Sequence, residues 1–225
     1  MTKHNLVLFS VLCLTVLLAA CGTNNTVNIQ TIDGSGTIVT GERDVSGFSS
    51  IQINLGADLS LTSSDSESLS IEADDNLMDY IKAEVRNGML VISTPDNTSL
   101  KPSQPIQLHV SFKELTTIEV NGSSAITGDD LNLDVLTVSF SGSGSTRLAG
   151  TVNNQTITIR GQATINNFDL SSQHVTIDIS GSGILEVSAA DTLNVTVAGM
   201  GTIRYKGDPT ITRNISGTAT ILQSQ

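Results

Sequence analysis

The chain has 225 residues, 22 Asp and Glu against 11 Lys and Arg, and a formal charge of −11. That balance repels phosphate backbones and anionic headgroups, which sets nucleic acid aside as a partner. Aromatics make up 3% of the residues and Trp is absent, while Gly, Ser, Thr, Asn and aliphatic residues dominate, a mixture suited to many short strands and tight turns rather than helices.

Residues 1–20 place Lys3 in a short polar head, an apolar run from Leu6 to Leu18, and small residues at Ala19 and Ala20. This pattern predicts a signal peptide, too short and wrongly flanked to be a stable membrane span. Leu18-Ala19-Ala20-Cys21-Gly22 resembles the bacterial lipobox. The resemblance implies diacylglyceryl transfer to the Cys21 thiol, cleavage before Cys21, and acylation of the new amino terminus, with palmitate as the natural label. Several acyl chains anchor stably where one does not, since each buried methylene contributes about 0.8 kcal/mol. Cys13 leaves with the leader, so neither a disulfide nor a cysteine metal site can form within one mature chain.

Loss of Lys3 takes the mature formal charge to −12. Residues 21–33, rich in Thr and Asn at their start, read as a flexible tether. Gly22 stands where an inner-membrane retention signal would carry Asp, so the expected address is the outer membrane of a two-membrane envelope.

From residue 34 onward one continuous domain is expected, with irregular coils over 34–113 and regular repeats over 114–225. Ile51, Ile53 and Leu59 open it, followed by strands at Leu69 to Ile71, Ile81 to Val85 and Met89 to Ile92. The last two meet at Asn87-Gly88, a hairpin signal. A short helix over Asn76 to Ala83 is the less favoured alternative. Residues 95–105 hold three of the four prolines and read as a loop, after which Ile106 to Phe112 resumes alternation.

The second half repeats itself. Ile118-Glu119-Val120-Asn121-Gly122 recurs as Val138 to Gly142, Ile157 to Gly161, Ile177 to Gly181 and Val195 to Gly199, and more weakly as Arg213 to Gly217. Two positions after each glycine stand the small residues Ser124, Gly144, Ala163, Gly183, Gly201 and Ala219; four after it stand Ile126, Thr146, Ile165, Leu185, Ile203 and Ile221. Ile51, Ile53 and Leu59 echo the same spacing, with Leu55 at the glycine's place. A unit this short cannot bury its apolar face alone, so neighbours must stack. The prediction is an all-β β-solenoid of the single-stranded, right-handed β-helix type with coils of about 18–20 residues. Positive φ, or close backbone approach at a corner, would explain one glycine per coil.

Gly34-Ser35-Gly36, Glu42 to Ile51, Leu69 to Met78, Val85 to Ile92 and the coils ending in Ser-Gly-Ser-Gly together resemble the family of putative auto-transporter adhesins with a head GIN domain. The likeness runs from about Gly34 to Leu222. It implies a β-helix-like envelope protein with an adhesive role, and it brings no catalytic or ligand-binding residues.

Read for chemistry, the mature chain offers two histidines, His109 and His174, expected to face outward from strands, and no zinc spacing. The clusters Glu72-Asp74-Asp75-Asp79 and Asp129-Asp130-Asp134 hold hard oxygen ligands that suit Ca²⁺, yet neither has EF-hand order or the calcium-solenoid pattern, so solvated turn acids are expected. Asp169, Asp178 and Asp191 lie on adjacent coils at different offsets from their glycines, and Arg160, Arg204 and Lys206 are scattered likewise.

No catalytic residue, metal or cofactor is therefore expected, and Cys21 is the one assigned site. The functional expectation is a membrane-anchored, non-catalytic adhesion or interaction module whose partner is an envelope protein or glycan. The alternative is a β-helix enzyme acting on acidic polysaccharide or cell-wall glycan. Short polar side chains such as Thr158, Thr176, Asp178, Asn194 and Thr196 are expected to form outward ladders across coils.

Overall fold

Alternation with period two forces every second residue of each repeat to one side, and parallel stacking of the repeats places those side chains in columns. The computed structural model, which describes residues 28–224, has this arrangement. The expected signal peptide, Cys21 and the first part of the expected tether lie outside the described residues.

In chain order the strands of the first half are β1 (Gln30–Asp33), β2 (Ile38–Arg43), β3 (Ser50–Ile53), β4 (Asp58–Ser63), β5 (Ser68–Asp74), β6 (Lys82–Arg86), β7 (Met89–Ser93), β8 (Thr98–Lys101) and β9 (Gln107–Phe112), with a 3-10 helix at Asp75–Tyr80. The second half consists of β10 (Thr117–Val120), β11 (Ser123–Phe140), β12 (Ser143–Ile159), β13 (Gln162–Ile179), β14 (Ser182–Val197), β15 (Met200–Lys206), β16 (Thr210–Ile215) and β17 (Thr218–Gln223).

Parallel pairing runs through the repeats in the expected register. Ile118, Val138, Ile157, Ile177 and Val195 are successive partners, as are Val120, Phe140, Ile159, Ile179 and Val197. All ten are at most 1% exposed. Burying one such side chain contributes on the order of 1.5–3 kcal/mol. Register shifts at Gly128/Leu131, Thr146/Gly150 and Asn167/Ser171 let a single long strand turn from one face of the coil to the next.

The echo in the first half is a coil of the same stack: Ile51 pairs with Ile118, Ile53 with Val120, and Leu59 with Ile126. Stack order and chain order then part company. Beyond β3 lies β7 and beyond β4 lies β9, both parallel, after which antiparallel β6 and β5 close the two faces and β2 pairs antiparallel with β5. The residues between β4 and β10 thus fold back under the first coil as a cap rather than as further irregular coils.

Three local expectations are corrected. Gln30–Asp33, assigned to the tether, forms β1, and Thr98–Lys101, assigned to the loop at 95–105, forms β8; the two pair with each other in parallel, a partnership no local pattern could signal. The less favoured helix exists in shortened form at Asp75–Tyr80, where Leu77 is fully buried. The hairpin at Asn87-Gly88 is present, with φ of 51° and 77°, as a primed turn requires.

The recurring glycines are explained by close approach, not by φ. A Cβ on Gly142, Gly161, Gly181, Gly199 or Gly217 would lie 1.9–2.2 Å from the carbonyl oxygen of the glycine one coil below, and one on Gly122 would lie 2.2 Å from that of Leu55. None of the six has a φ in the left-handed region.

Candidate functional site

The polar side chains line up because the coils do. One outward column runs Thr117, Thr137, Thr156, Thr176, Asn194, Thr212, and its neighbour runs Glu119, Ser139, Thr158, Asp178, Thr196, Asn214. At the start of the second column Gln52 Nε2 donates to Glu119 Oε2 at 2.8 Å, and outside the two columns Asn121 Nδ2 donates to Asn54 Oδ1 at 2.7 Å and Asn153 Nδ2 to Asp134 Oδ1 at 2.7 Å. The result is a lateral surface of short polar groups in register. Such a surface loses little side-chain entropy on contact.

The titratable residues do not converge. His109 faces outward from β9, with Nε2 3.7 Å from Glu72 Oε1, and His174 meets Thr192 Oγ1 at 3.0 Å. Asp129, Asp130 and Asp134 are exposed at a coil corner, where Asp130 has a φ of 57°. Asp178 stands between Thr158 and Thr196, while Asp169 and Asp191 lie at separate corners. Arg160 donates to Ser139 Oγ at 3.4 Å, Arg204 lies 3.9 Å from Glu186, and Lys206 sits 4.6 Å above the Phe168 ring. Among the described residues, no group of three or more His, Cys, Asp or Glu is arranged to hold a metal ion. A cleft of about 630 Å³ between Ile29, Asn54 and residues of the segment from Thr94 to Pro102 has Asp96 as its one titratable lining residue.

Asp74 corrects the reading of its cluster as solvated turn acids. It is fully buried, and its carboxylate accepts from the Ser103 hydroxyl at 2.6 Å, the Ser103 N–H at 2.8 Å and the Gly36 N–H at 2.7 Å. Asp74 thereby clamps the turn before β2, the entrance to the 3-10 helix and the segment after β8. Its neighbours Asp75 and Asp79 are exposed, so the cluster divides between a structural acid and solvated ones. The Ser103 hydroxyl, aided by the two backbone N–H groups, holds the Asp74 carboxyl below the usual carboxylate range, against the upward push of burial.

A carboxyl depressed by folding stabilises the native state above its unfolded pKa and loses that contribution as pH falls through the folded value. Asp74→Asn turns an amide donor toward these donors. Its denaturant midpoint should fall below that of the wild type at pH 7, and the gap should narrow below pH 4, the ordinary carboxylate range. A gap independent of pH would contradict this role.

Sequence reasoning also missed two polar pairs inside the repeats. Asn167, fully buried, accepts at Oδ1 from Thr146 Oγ1 at 2.8 Å and from the Leu148 N–H at 3.1 Å, and Gln155 Oε1 accepts from Ser172 Oγ at 3.1 Å. Thr146, the single non-aliphatic member of its column, was the available signal. Asn167 Nδ2 and Gln155 Nε2 have no partner among the described residues.

These residues form a capped parallel β-solenoid with polar columns in register on its flanks. The chain belongs to the family described as "Putative auto-transporter adhesin, head GIN domain", whose model matches residues 47–209. A crystal structure of a putative adhesin from Bacteroides fragilis is similar over 86% of this chain and 100% of that one, at 22% identity and a TM-score of 0.71. A putative lipid binding protein from Parabacteroides distasonis is similar over 87% of this chain and 100% of that one, at 25% identity and a TM-score of 0.53. No curated protein matches the chain.

Proposed function

We propose that the chain is an exported lipoprotein, anchored through Cys21 in the outer membrane, whose solenoid binds an envelope protein or glycan without transforming it. The observation that carries the binding role is the pair of in-register ladders ending in Thr176, Asn194 and Thr212 and in Asp178, Thr196 and Asn214. A repetitive face of this kind favours many weak contacts spread over a large area, whereas catalysis needs an acid, base or nucleophile held within hydrogen-bonding reach of one substrate. The lipobox-like Leu18 to Gly22 supports the anchor.

Cys21→Ser supplies the test. Most of the variant should move from the membrane fraction to the soluble or uncleaved pool, and palmitate label present in the wild type should be lost. Presented with uronic-acid polymers and peptidoglycan, with and without Ca²⁺, the released chain should be retained and release no product. Unchanged fractionation with an unlabelled wild type would defeat the anchor. Turnover abolished by replacing Asp169, Asp178 or Asp191 would make the chain a glycan-cleaving enzyme instead.

A further inference from the structure

Among the described residues, the last coil is covered on one side only. β16 and β17 pair on one side only, with β14 and β15 respectively. Their free edges are templates for an added strand. At the cap end, edge strand β6 exposes Lys82, Glu84 and Arg86, charges of the kind that protect an edge from pairing. The last coil is different in character. Ile215 continues the inward column of Val197 and is 42% exposed, with no described coil beyond it, and Ile211 and Ile221, which continue the inward columns of Leu193 and Ile203, are half-buried.

One charge interrupts this apolar end. Arg213 pairs with Val195 and so continues the inward column of Val138, Ile157 and Ile177 into the last coil. It is exposed and makes no side-chain hydrogen bond or ion pair among the described residues. The local charge is also reversed. Over residues 200–224 Arg204, Lys206 and Arg213 outnumber the single acid Asp208, in a chain with twice as many acids as bases, and of the three Arg204 has an acid, Glu186, 3.9 Å away on the preceding strand.

We propose that this last coil is a docking edge for an extended acidic segment of a partner protein, which adds as the next rung with Asp or Glu opposite Arg213 and aliphatic residues opposite Ile211 and Ile215. The proposal deepens, and rests on, the reading of the chain as an interaction module. An apolar strand laid across the tip would bury the guanidinium without a partner, whereas a carboxylate there meets it in a charge-assisted pair. Two copies docked tip to tip would bring two Arg213 side chains into one seam, so the same residue opposes self-association while selecting an acidic partner.

The probes are fluorescein-labelled peptides of residues 210–223, one unaltered and one carrying Arg213→Glu, titrated by anisotropy against the full chain in detergent at low salt. The Arg213→Glu peptide should bind at least about tenfold more tightly than the unaltered one. An Arg213→Glu protein should reverse that preference, and salt should shrink it. Equal affinities, or a preference unmoved by the change in the protein, would overturn the proposal. So would sedimentation showing that the wild-type chain pairs with itself through the tip. Loss of the peptide preference with retained binding to envelope polymer removes this docking edge alone; loss of both removes the interaction-module reading as well.

Discussion

Ile179→Asp should unfold most of the regular stack, while Ser180→Asp, one residue away, should leave it nearly untouched. Ile179 is fully buried between Ile159 and Val197, and its Cδ1 occupies space opened by Gly183 and Gly201. Aspartate there forfeits the 1.5–3 kcal/mol of aliphatic burial and places a carboxylate where no donor is available, so the loss should exceed about 4 kcal/mol. Ser180 is exposed, and its replacement should cost under about 1 kcal/mol. Denaturant melts of the two variants measure the contrast. Reversed losses would mean that the inward and outward faces have been exchanged, because a shift of one residue inverts every side chain of a strand, and equal losses would mean that the two positions do not differ in burial.

Gly161→Ala, which adds a single methyl group, should cost about 3 kcal/mol or more. Its Cβ would come 1.9 Å from the Gly142 carbonyl oxygen and 2.7 Å from that of Ser141. Neither coil can retreat cheaply: the Gly142 carbonyl accepts from the Gln162 N–H at 3.0 Å, and the Gly161 N–H donates to Phe140 at 3.2 Å. Gly47→Ala is the control. Gly47 has a φ of 77° and no atom within 4 Å of an added Cβ, so its cost is the left-handed backbone penalty of about 1–2 kcal/mol. Thermal melts in which the two variants fall equally would remove close approach as the reason for one glycine per coil.

The regular coils were legible because their information is local and repeated. Period-two alternation identifies the inward face, and recurrence at 18–20 residues aligns Ile118 with Val138 and Ile157 before any contact is known. The cap was not legible, because β7 and β9 are inserted between β4 and β10 in sequence yet stack outside β3 and β4 in space. That order is chosen by which apolar faces remain uncovered once the first coil has formed, a property of the assembled stack. β1 and β8 were hidden for a related reason: each is a short polar strand that exists through its partner.

The candidate site divides along the same line. Composition and pattern alone determined the acidic, aromatic-poor character of the chain, the lipobox-like Cys21 and the outward placement of Thr158, Thr176, Asp178, Asn194 and Thr196. Only the tertiary structure decided that Asp74 is a buried clamp while Asp75 and Asp79 face solvent, since its three donors come from Gly36 and Ser103, 38 and 29 residues away. It also decided that Arg213, a weak match to the repeat, ends an inward apolar column at an open edge. Local periodicity specifies which way a side chain turns; what it meets there depends on the neighbouring coil, and at the end of the rod on the absence of one among the described residues.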